Sequence, residues 1–160
     1  MLTTAQLQTL KTAIAAETDA AFVALRTAND ENGMAAWYNQ PSAFIVWRTD
    51  VTADETANAW VGTDIDGMSA LNMQRLQLLL ASSRAGVFDM TRADRRAGFE
   101  NPFGTNVNNA SRVAMRAVWK RAVNRFEKLY ATGVGSDASP GTPGLQGTIS
   151  AQDISDALRS

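Results

Sequence analysis

The chain of 160 residues contains neither cysteine nor histidine, and this double absence limits what can hold its fold together. Without cysteine, disulfide bonds and thiolate metal sites are excluded, so a hydrophobic core must provide the stability. A chain of this length normally forms one domain that buries roughly two thirds of its unfolded surface, which is enough for such a core. The absence of histidine removes the commonest general base and the imidazole ligands of most zinc sites. We therefore expect a protein that is not an enzyme and that holds no metal or other cofactor.

Helix-capping residues recur through the first half of the chain. Thr3 and Gln6 have the spacing of a capping box and predict a first helix that ends near Ala16. Thr52 and Glu55 repeat this spacing and predict another helix. The aromatic and β-branched segment 43–47 instead favours an extended strand, and this strand signal is isolated. The sequence thus predicts a mostly α fold, a helical bundle with at most a small two-stranded β element.

The segment 71–80 predicts a helix with apolar residues on more than one side. Its large apolar residues are Leu71, Met73, Leu76, Leu78, Leu79 and Leu80. Only narrow polar strips remain between them. Such a helix needs cover on both sides.

The longest predicted helix runs from about Asn108 to Thr132 and separates apolar from basic residues. Its apolar positions are Met115, Val118, Trp119, Ala122, Phe126 and Leu129. Its basic positions are Arg116, Lys120, Arg121, Arg125 and Lys128. At about 100° per residue the two sets fall on opposite faces of one helix. The basic face is either exposed to solvent or apposed to acidic protein or nucleic acid, and the pattern does not choose between these.

The last segment, 133–160, begins with a stretch rich in glycine, serine and proline that is typical of an extended arm. We therefore divide the chain into a helical domain, 1–132, and a C-terminal arm, 133–160, with a short strand and helix. Apolar residues that this arm offers for docking are Leu145, Ile149, Ile154 and Leu158. The arm either binds a partner or packs on its own chain.

Charge is distributed unevenly along the chain. Residues 1–83 carry four basic and nine acidic side chains, whereas residues 84–128 carry ten basic and four acidic ones. Such a division says more about what contacts the surface than about the fold. The apolar runs are far shorter than the roughly twenty residues of a membrane span, so we expect a soluble protein without a secretory signal.

Two groups of residues suggest chemical sites, and each has a simpler interpretation. The segment 64–67 resembles the opening of a calcium loop, but Ser69 replaces the required glycine and Arg75 the closing glutamate. Carboxylates that a histidine-free hydrolase of cell-wall glycan would use include Glu17, Glu55 and Glu100. No spacing selects a pair among them, and Glu55 is explained as a helix cap.

Several short motifs together resemble small structural proteins of tailed-bacteriophage virions, in particular head-tail adaptors of the connector or neck. The motifs are the segments 2–11, 44–49, 72–80 and 147–154. The resemblance extends over nearly the whole chain, although each motif is short and degenerate. It names no individual contact residues, but it implies that the C-terminal segment, 133–160, binds the portal.

The resemblance implies a specific role in viral assembly. The chain would form a homo-oligomeric ring, expected to be a dodecamer, that joins the portal protein to downstream tail or neck proteins. Assembled in the host cytoplasm, the ring would lie at the head-tail junction of the virion. DNA would pass through its lumen without sequence-specific binding and without a membrane partner. The alternative is a DNA-binding packaging or regulatory protein that uses its basic helix.

Overall fold

The structure is a computed structural model that describes residues 1–83 and 86–160. Arg84, which belongs to the basic segment of the sequence, lies outside the described residues. The chain forms two compact units, one made of residues 1–45 and 122–160 and the other of residues 46–121. Residues 133–160 therefore belong to the same unit as the N-terminal residues.

Helices dominate the described residues. In chain order they are α1 (Thr4–Ala16), α2 (Ala20–Thr27), α3 (Glu31–Tyr38), α4 (Ala53–Asn58), α5 (Gly62–Asp66), α6 (Ala70–Ala81), α7 (Ala93–Glu100), α8 (Ala110–Val118), α9 (Arg125–Tyr130) and α10 (Ala151–Arg159). A short 3-10 helix, Asn101–Phe103, follows α7. The strands are β1 (Pro41–Trp47), β2 (Val51–Thr52), β3 (Val87–Phe88) and β4 (Lys120–Asn124).

The strands form two small sheets. β1 pairs with β4, and β2 pairs with β3 in an antiparallel register that places Val51 opposite Phe88. The extended conformation predicted for residues 43–47 is confirmed by β1. The prediction of at most one two-stranded element is wrong, because the short strand β2 also finds a partner.

Local capping signals are reproduced closely. The Thr3 side chain accepts a hydrogen bond from the Gln6 amide while the Gln6 side chain accepts one from the Thr3 amide, so the predicted capping box of α1 is confirmed. Thr52 and Glu55 form the same reciprocal pair at the start of α4. These contacts satisfy amides that have no partner within the helix, which is why they mark helix starts so reliably.

The predicted long helix from Asn108 to Thr132 is wrong. The chain forms α8, then β4, then α9 over this range. Asn124 and Glu127 form a capping box that begins α9 as a new helix. Pairing with β4 gives backbone groups of β1 their hydrogen-bond partners.

The predicted extended arm is also wrong, because the segment after α9 is hydrogen-bonded to its own unit. The Ile45 amide donates to the Gly135 carbonyl at 2.8 Å, and the Gly141 amide donates to the Ile45 carbonyl at 2.8 Å. The Asn39 side chain binds both the amide and the carbonyl of Ile149, at 2.9 and 2.8 Å. Glycine and proline in this segment support tight turns rather than extension.

Each unit has a hydrophobic core of its own. The core of the unit made of residues 1–45 and 122–160 contains Leu10, Ile14, Phe22, Met34, Ala35, Tyr38, Phe126, Ile149, Ile154 and Ala157. The core of the unit 46–121 contains Val51, Leu76, Phe88, Met90, Phe99, Met115 and Trp119. The Trp119 indole donates to the Thr56 hydroxyl at 3.2 Å, which satisfies its polar atom inside the second core.

Candidate functional site

The five residues of the predicted basic face lie on three different elements. Arg116 belongs to α8, Lys120 and Arg121 belong to β4, and Arg125 and Lys128 belong to α9. The first three fall in the unit 46–121 and the last two in the other unit. The spacing of one helix therefore does not place these side chains on one face, and the basic helical face predicted from the sequence does not exist.

Arg116 takes part in a compact ion triad with Glu100 and Arg112. Arg116 donates to both Glu100 carboxylate oxygens, from Nε at 2.6 Å and from Nη2 at 2.7 Å. Arg112 Nη2 donates to Glu100 at 2.8 Å, and its Nη1 donates to the Gly104 carbonyl at 2.5 Å. Glu100 and Arg112 are each only 7% exposed. Arg116 thus serves the packing of α7 against α8 and is not a free surface charge.

The triad also fixes the titration of Glu100. Burial acts to raise the pKa of this carboxyl, but hydrogen bonds from Arg116 and Arg112 outweigh burial and hold the pKa below its ordinary value of 4.5. Because the folded-state pKa lies below the unfolded value, the ionised triad stabilises the fold above about pH 4.5, and this contribution is lost as the pH falls further.

This titration gives a pH-dependent prediction. The free energy of unfolding should fall as the pH drops below about 4.5 in the wild type, and less steeply in Glu100→Gln, which has no carboxyl to protonate. Urea denaturation at several pH values between about 3 and 7 measures the free energy of unfolding, and hence both slopes. Equal slopes in the two proteins would show that Glu100 ionisation does not contribute.

Three of the four proposed docking residues are packed on their own chain. Ile149 and Ile154 are core residues with exposures of 4% and 0%, and Leu145 is half-buried against the same core. Leu158, at 37%, is the most exposed of the four. Docking of these side chains on a partner would require residues 145–158 to leave the core, so the structure supports the alternative in which the segment packs on its own chain.

Truncation of α10 side chains tests this placement. Ile154→Ala is expected to lower the free energy of unfolding by about 2–4 kcal/mol, because it leaves a cavity in a closed core. Leu158→Ala, on the same helix, should cost far less because its side chain is already partly in water. Chemical denaturation of both variants measures the difference, and equal small effects would contradict the packing of α10.

One cleft lies in the unit made of residues 1–45 and 122–160. It has a volume of about 630 Å³, and the Arg125 guanidinium stacks on the Trp37 ring there, with 3.6 Å between the guanidinium carbon and the ring centroid. Glu17, Asp19 and Lys128 also line it. Two cationic and two acidic side chains give this cleft no preference for a ligand of either charge.

Helix α6 leaves one apolar face uncovered. Leu71 is 58% exposed and Leu78 is 69% exposed, whereas Leu76 on the opposite side is fully buried. Leu71, Arg75 and Leu78 follow one another at helical spacing and therefore share a face. The sequence predicts that α6 is covered on both sides, but the chain covers only the side of Leu76. We call Leu71, Arg75 and Leu78 the leucine face.

A groove lined by small residues lies in the same unit. It has a volume of about 510 Å³ and is lined by Arg48, Glu55, Asn58, Ala59, Ala114, Ala117, Val118 and Lys120. Its floor comes from α4 and α8, which meet only in the folded chain, so sequence reasoning did not detect it. Val113, 52% exposed on α8, adds apolar surface. We call this feature the alanine groove.

One rim of the alanine groove carries a charged cluster. Arg48 Nε donates to Asp50 at 3.0 Å, and Arg48 Nη1 donates to Glu55 at 2.8 Å. Burial acts to lower the pKa of Arg48, but the hydrogen bonds that it donates to Glu55 and Asp50 outweigh burial and raise the pKa. Lys120 also lines the groove, so its two cationic side chains and the carboxylates of Glu55 and Asp50 leave no excess of negative charge there.

The candidate calcium loop has a structural role instead. Its residues form helix α5, and the Asp64 carboxylate accepts hydrogen bonds from the Ser111 amide at 2.9 Å and the Ser111 hydroxyl at 2.7 Å. Within the described ranges, no three acidic, histidine or cysteine side chains cluster as metal ligands would. The described helices also include none with the length and apolar character needed to cross a bilayer.

Comparison of the chain with protein-family models, with curated proteins and with solved structures finds no match. The features that bear on function are therefore those of the molecule itself. Among them, the leucine face and the alanine groove are the surfaces whose chemistry fits contact with another protein.

Proposed function

We propose that this chain is a structural, non-catalytic subunit of a bacteriophage neck, an adaptor ring that joins the portal to the tail around the DNA channel. The leucine face is the observation that carries the proposal. Two large apolar side chains, 58% and 69% exposed on one helix face, lose favourable burial unless another protein covers them. A subunit of a permanent assembly buries such side chains against its neighbours.

The alternative of a DNA-binding protein rested on a continuous basic helix. The chain does not form that helix, and Arg116 is paired with Glu100. Electrostatic attraction to a phosphate backbone requires several cations free to displace counterions. The adaptor role needs no such surface, since its lumen only has to let DNA pass.

The adaptor role assigns partners by contact surface. Neighbouring copies in the ring, expected to number twelve, would cover exposed apolar surface of the unit 46–121. The portal protein and the downstream tail or neck proteins would contact the remaining surface, and the site of action would be the head-tail junction of the virion. Ile149 and Ile154 are buried in the core of their own unit, so portal binding would use other side chains.

Reconstitution on the portal tests the proposal. Purified protein mixed with portal rings of the same virus should add ring-shaped density in electron cryo-microscopy. The double variant Leu71→Glu with Leu78→Glu should lose this density, because charged side chains resist burial. Gln77→Glu is the matched control, since Gln77 is exposed on the same helix but lies outside the leucine face.

Two results would contradict the adaptor role. One is the absence of added density with wild-type protein at several salt and protein concentrations. The other is tight binding to duplex DNA that weakens steeply with salt, which is the behaviour of a nucleic-acid-binding protein. Monomeric protein in solution would not contradict it, because a ring can form only on its platform.

A further inference from the structure

We propose that the cleft of the unit made of residues 1–45 and 122–160 binds a small zwitterion, a molecule with one carboxylate and one ammonium group, as free amino acids and short peptides have. The carboxylate lies against Arg125 and Lys128, and the ammonium lies against Glu17 and Asp19. All four side chains line the cleft and belong to the same unit. This binding site goes beyond the adaptor role and does not depend on it.

Arg125 is held in place without the use of its hydrogen-bond donors. Its guanidinium stacks on the Trp37 ring, with 3.6 Å between the guanidinium carbon and the ring centroid. Its side-chain N–H groups find no acceptor in the described part of the chain, and Nη1 is buried without one. A guanidinium binds a carboxylate through two parallel hydrogen bonds, for example from Nε and Nη2. Because stacking already restricts the side chain, less conformational freedom is lost when such a ligand binds.

Two further donors line the same cleft. Lys128 is exposed and follows Arg125 by three positions on α9, so both cations lie on one side of that helix. Tyr38 is only 3% exposed, and its hydroxyl has no hydrogen-bond partner among residues 1–83 and 86–160. Burial and the negative charge of Glu17 raise the pKa of Tyr38, so the hydroxyl stays protonated and can donate. A buried hydroxyl without an acceptor is uncommon, and a carboxylate ligand supplies the acceptor.

The two acidic side chains of the cleft each use one oxygen within the chain. Glu17 Oε1 accepts hydrogen bonds from the Thr18 and Asp19 amides at 2.9 and 3.0 Å. Asp19 Oδ1 accepts one from the Ala21 amide at 2.9 Å, as the cap of α2. The second oxygen of each carboxylate has no partner in the described ranges. These oxygens are acceptors of the kind that an ammonium group needs.

The opposite charges that line the cleft do not pair with one another. Neither Arg125 nor Lys128 forms an ion pair with a described residue, and neither Glu17 nor Asp19 does so. A ligand of one charge would satisfy one pair of side chains only, whereas a zwitterion satisfies both. The cleft volume of about 630 Å³ lies within the usual range of small-molecule sites and admits an amino acid or a short peptide.

Binding can be measured on the full chain by two-dimensional NMR of isotope-labelled protein. Glycine, diglycine and triglycine are the probes, because they carry the same two charged groups at increasing separation. The indole N–H signal of Trp37, identified by its loss in Trp37→Phe, reports the site. At least one probe is expected to shift this signal until it saturates. Tightest binding of glycine would assign the site to free amino acids, and tightest binding of a longer probe would assign it to short peptides.

Probes with one charge test the pairing of both groups. N-acetylglycine keeps the carboxylate and loses the ammonium, whereas glycinamide keeps the ammonium and loses the carboxylate. The same changes are made on the longer probe if that probe binds best. Each should bind about tenfold more weakly than its zwitterionic parent, because one set of charge-assisted hydrogen bonds is lost.

Conservative variants locate the site. Arg125→Lys keeps the charge but cannot form two parallel bonds, and it should weaken binding about tenfold. Asp19→Asn removes a charge but still caps α2, and it should weaken binding of the zwitterion but not of N-acetylglycine. Arg159→Lys is the matched control, since Arg159 is exposed on α10 and does not line the cleft. Lys128→Gln, at an exposed position, gives a second variant that leaves the stacked pair intact. Far-ultraviolet circular dichroism confirms that each variant is folded.

Three results would overturn the proposal. The first is the absence of a saturable shift of the Trp37 signal with every zwitterionic probe. The second is equal affinity for a zwitterion and for either of its singly charged analogues, which would show that only one group is recognised. The third is unchanged binding in both Arg125→Lys and Lys128→Gln, which would place the ligand elsewhere. None of these results bears on ring formation at the portal.

Discussion

Replacing Glu100 with alanine is expected to lower the free energy of unfolding by about 3–5 kcal/mol, the usual cost of removing one partner from a buried ion pair. The change leaves the guanidinium of Arg112 with its charge uncompensated, although that residue is only 7% exposed. Arg112 Nε already lacks a hydrogen-bond partner within the protein, so there is no spare acceptor to replace the carboxylate. Urea denaturation followed by tryptophan fluorescence measures the loss.

An exposed ion pair at the start of α7 provides the control. Arg92 and Asp94 form an ion pair whose side chains are 58% and 67% exposed. Asp94→Ala should leave the free energy of unfolding unchanged within error, because water replaces an exposed partner. Glu100→Gln, which keeps the shape and one acceptor oxygen, should fall between the two. Equal effects of Glu100→Ala and Asp94→Ala would contradict the burial of the triad.

Replacing Gly135 with alanine should be similarly damaging, by about 2–4 kcal/mol, from backbone strain and overpacking together. Gly135 has a φ of +70°, and a Cβ atom there would lie 2.2 Å from the Phe44 ring. The residue cannot move away freely, because its carbonyl accepts the hydrogen bond of the Ile45 amide. Thermal and urea unfolding of the variant measure the effect.

The origin of this effect can be separated into its parts. Gly62→Ala should be nearly neutral, since no atom lies within 4 Å of the added Cβ and the backbone is not strained. In a Phe44→Ala background, Gly135→Ala should lower the free energy of unfolding by less than in the wild type, because the ring that the new Cβ atom would overlap is absent. An unchanged cost in that background would assign the whole effect to backbone strain.

The local rules of helix initiation were predictable from the sequence. The capping box of Thr3 and Gln6 and that of Thr52 and Glu55 involve residues three positions apart, so the interacting atoms are already neighbours in the unfolded chain. The excess of leucine in α6 was likewise visible, and Leu71 and Leu78 prove to be the exposed ones. These features depend on composition and spacing over one or two turns.

The candidate surfaces were less predictable. The prediction of a basic helical face was wrong because residues 120–124 form the strand β4. Side chains along a strand repeat every two residues rather than every 3.6. The sequence suggests Glu100 only as a possible catalytic carboxylate. Its ion pair with Arg116 is not visible in the sequence, because the two residues lie sixteen positions apart. The alanine groove could not be found at all, because α4 and α8 are brought together only by the fold.

The sequence by itself determined that a hydrophobic core stabilises the fold, because it contains no cysteine. It also determined where several helices begin, because capping depends on residue type and short-range spacing. The tertiary structure alone decided the state of residues 120–124 and of the last segment. Trp119 and Val123 satisfy the apolar pattern of a helix and of a strand equally well, and pairing with β1 selects the strand. The last segment folds back because Ile149 and Ile154 gain more from burial beside Phe22 and Met34 than from extension into water.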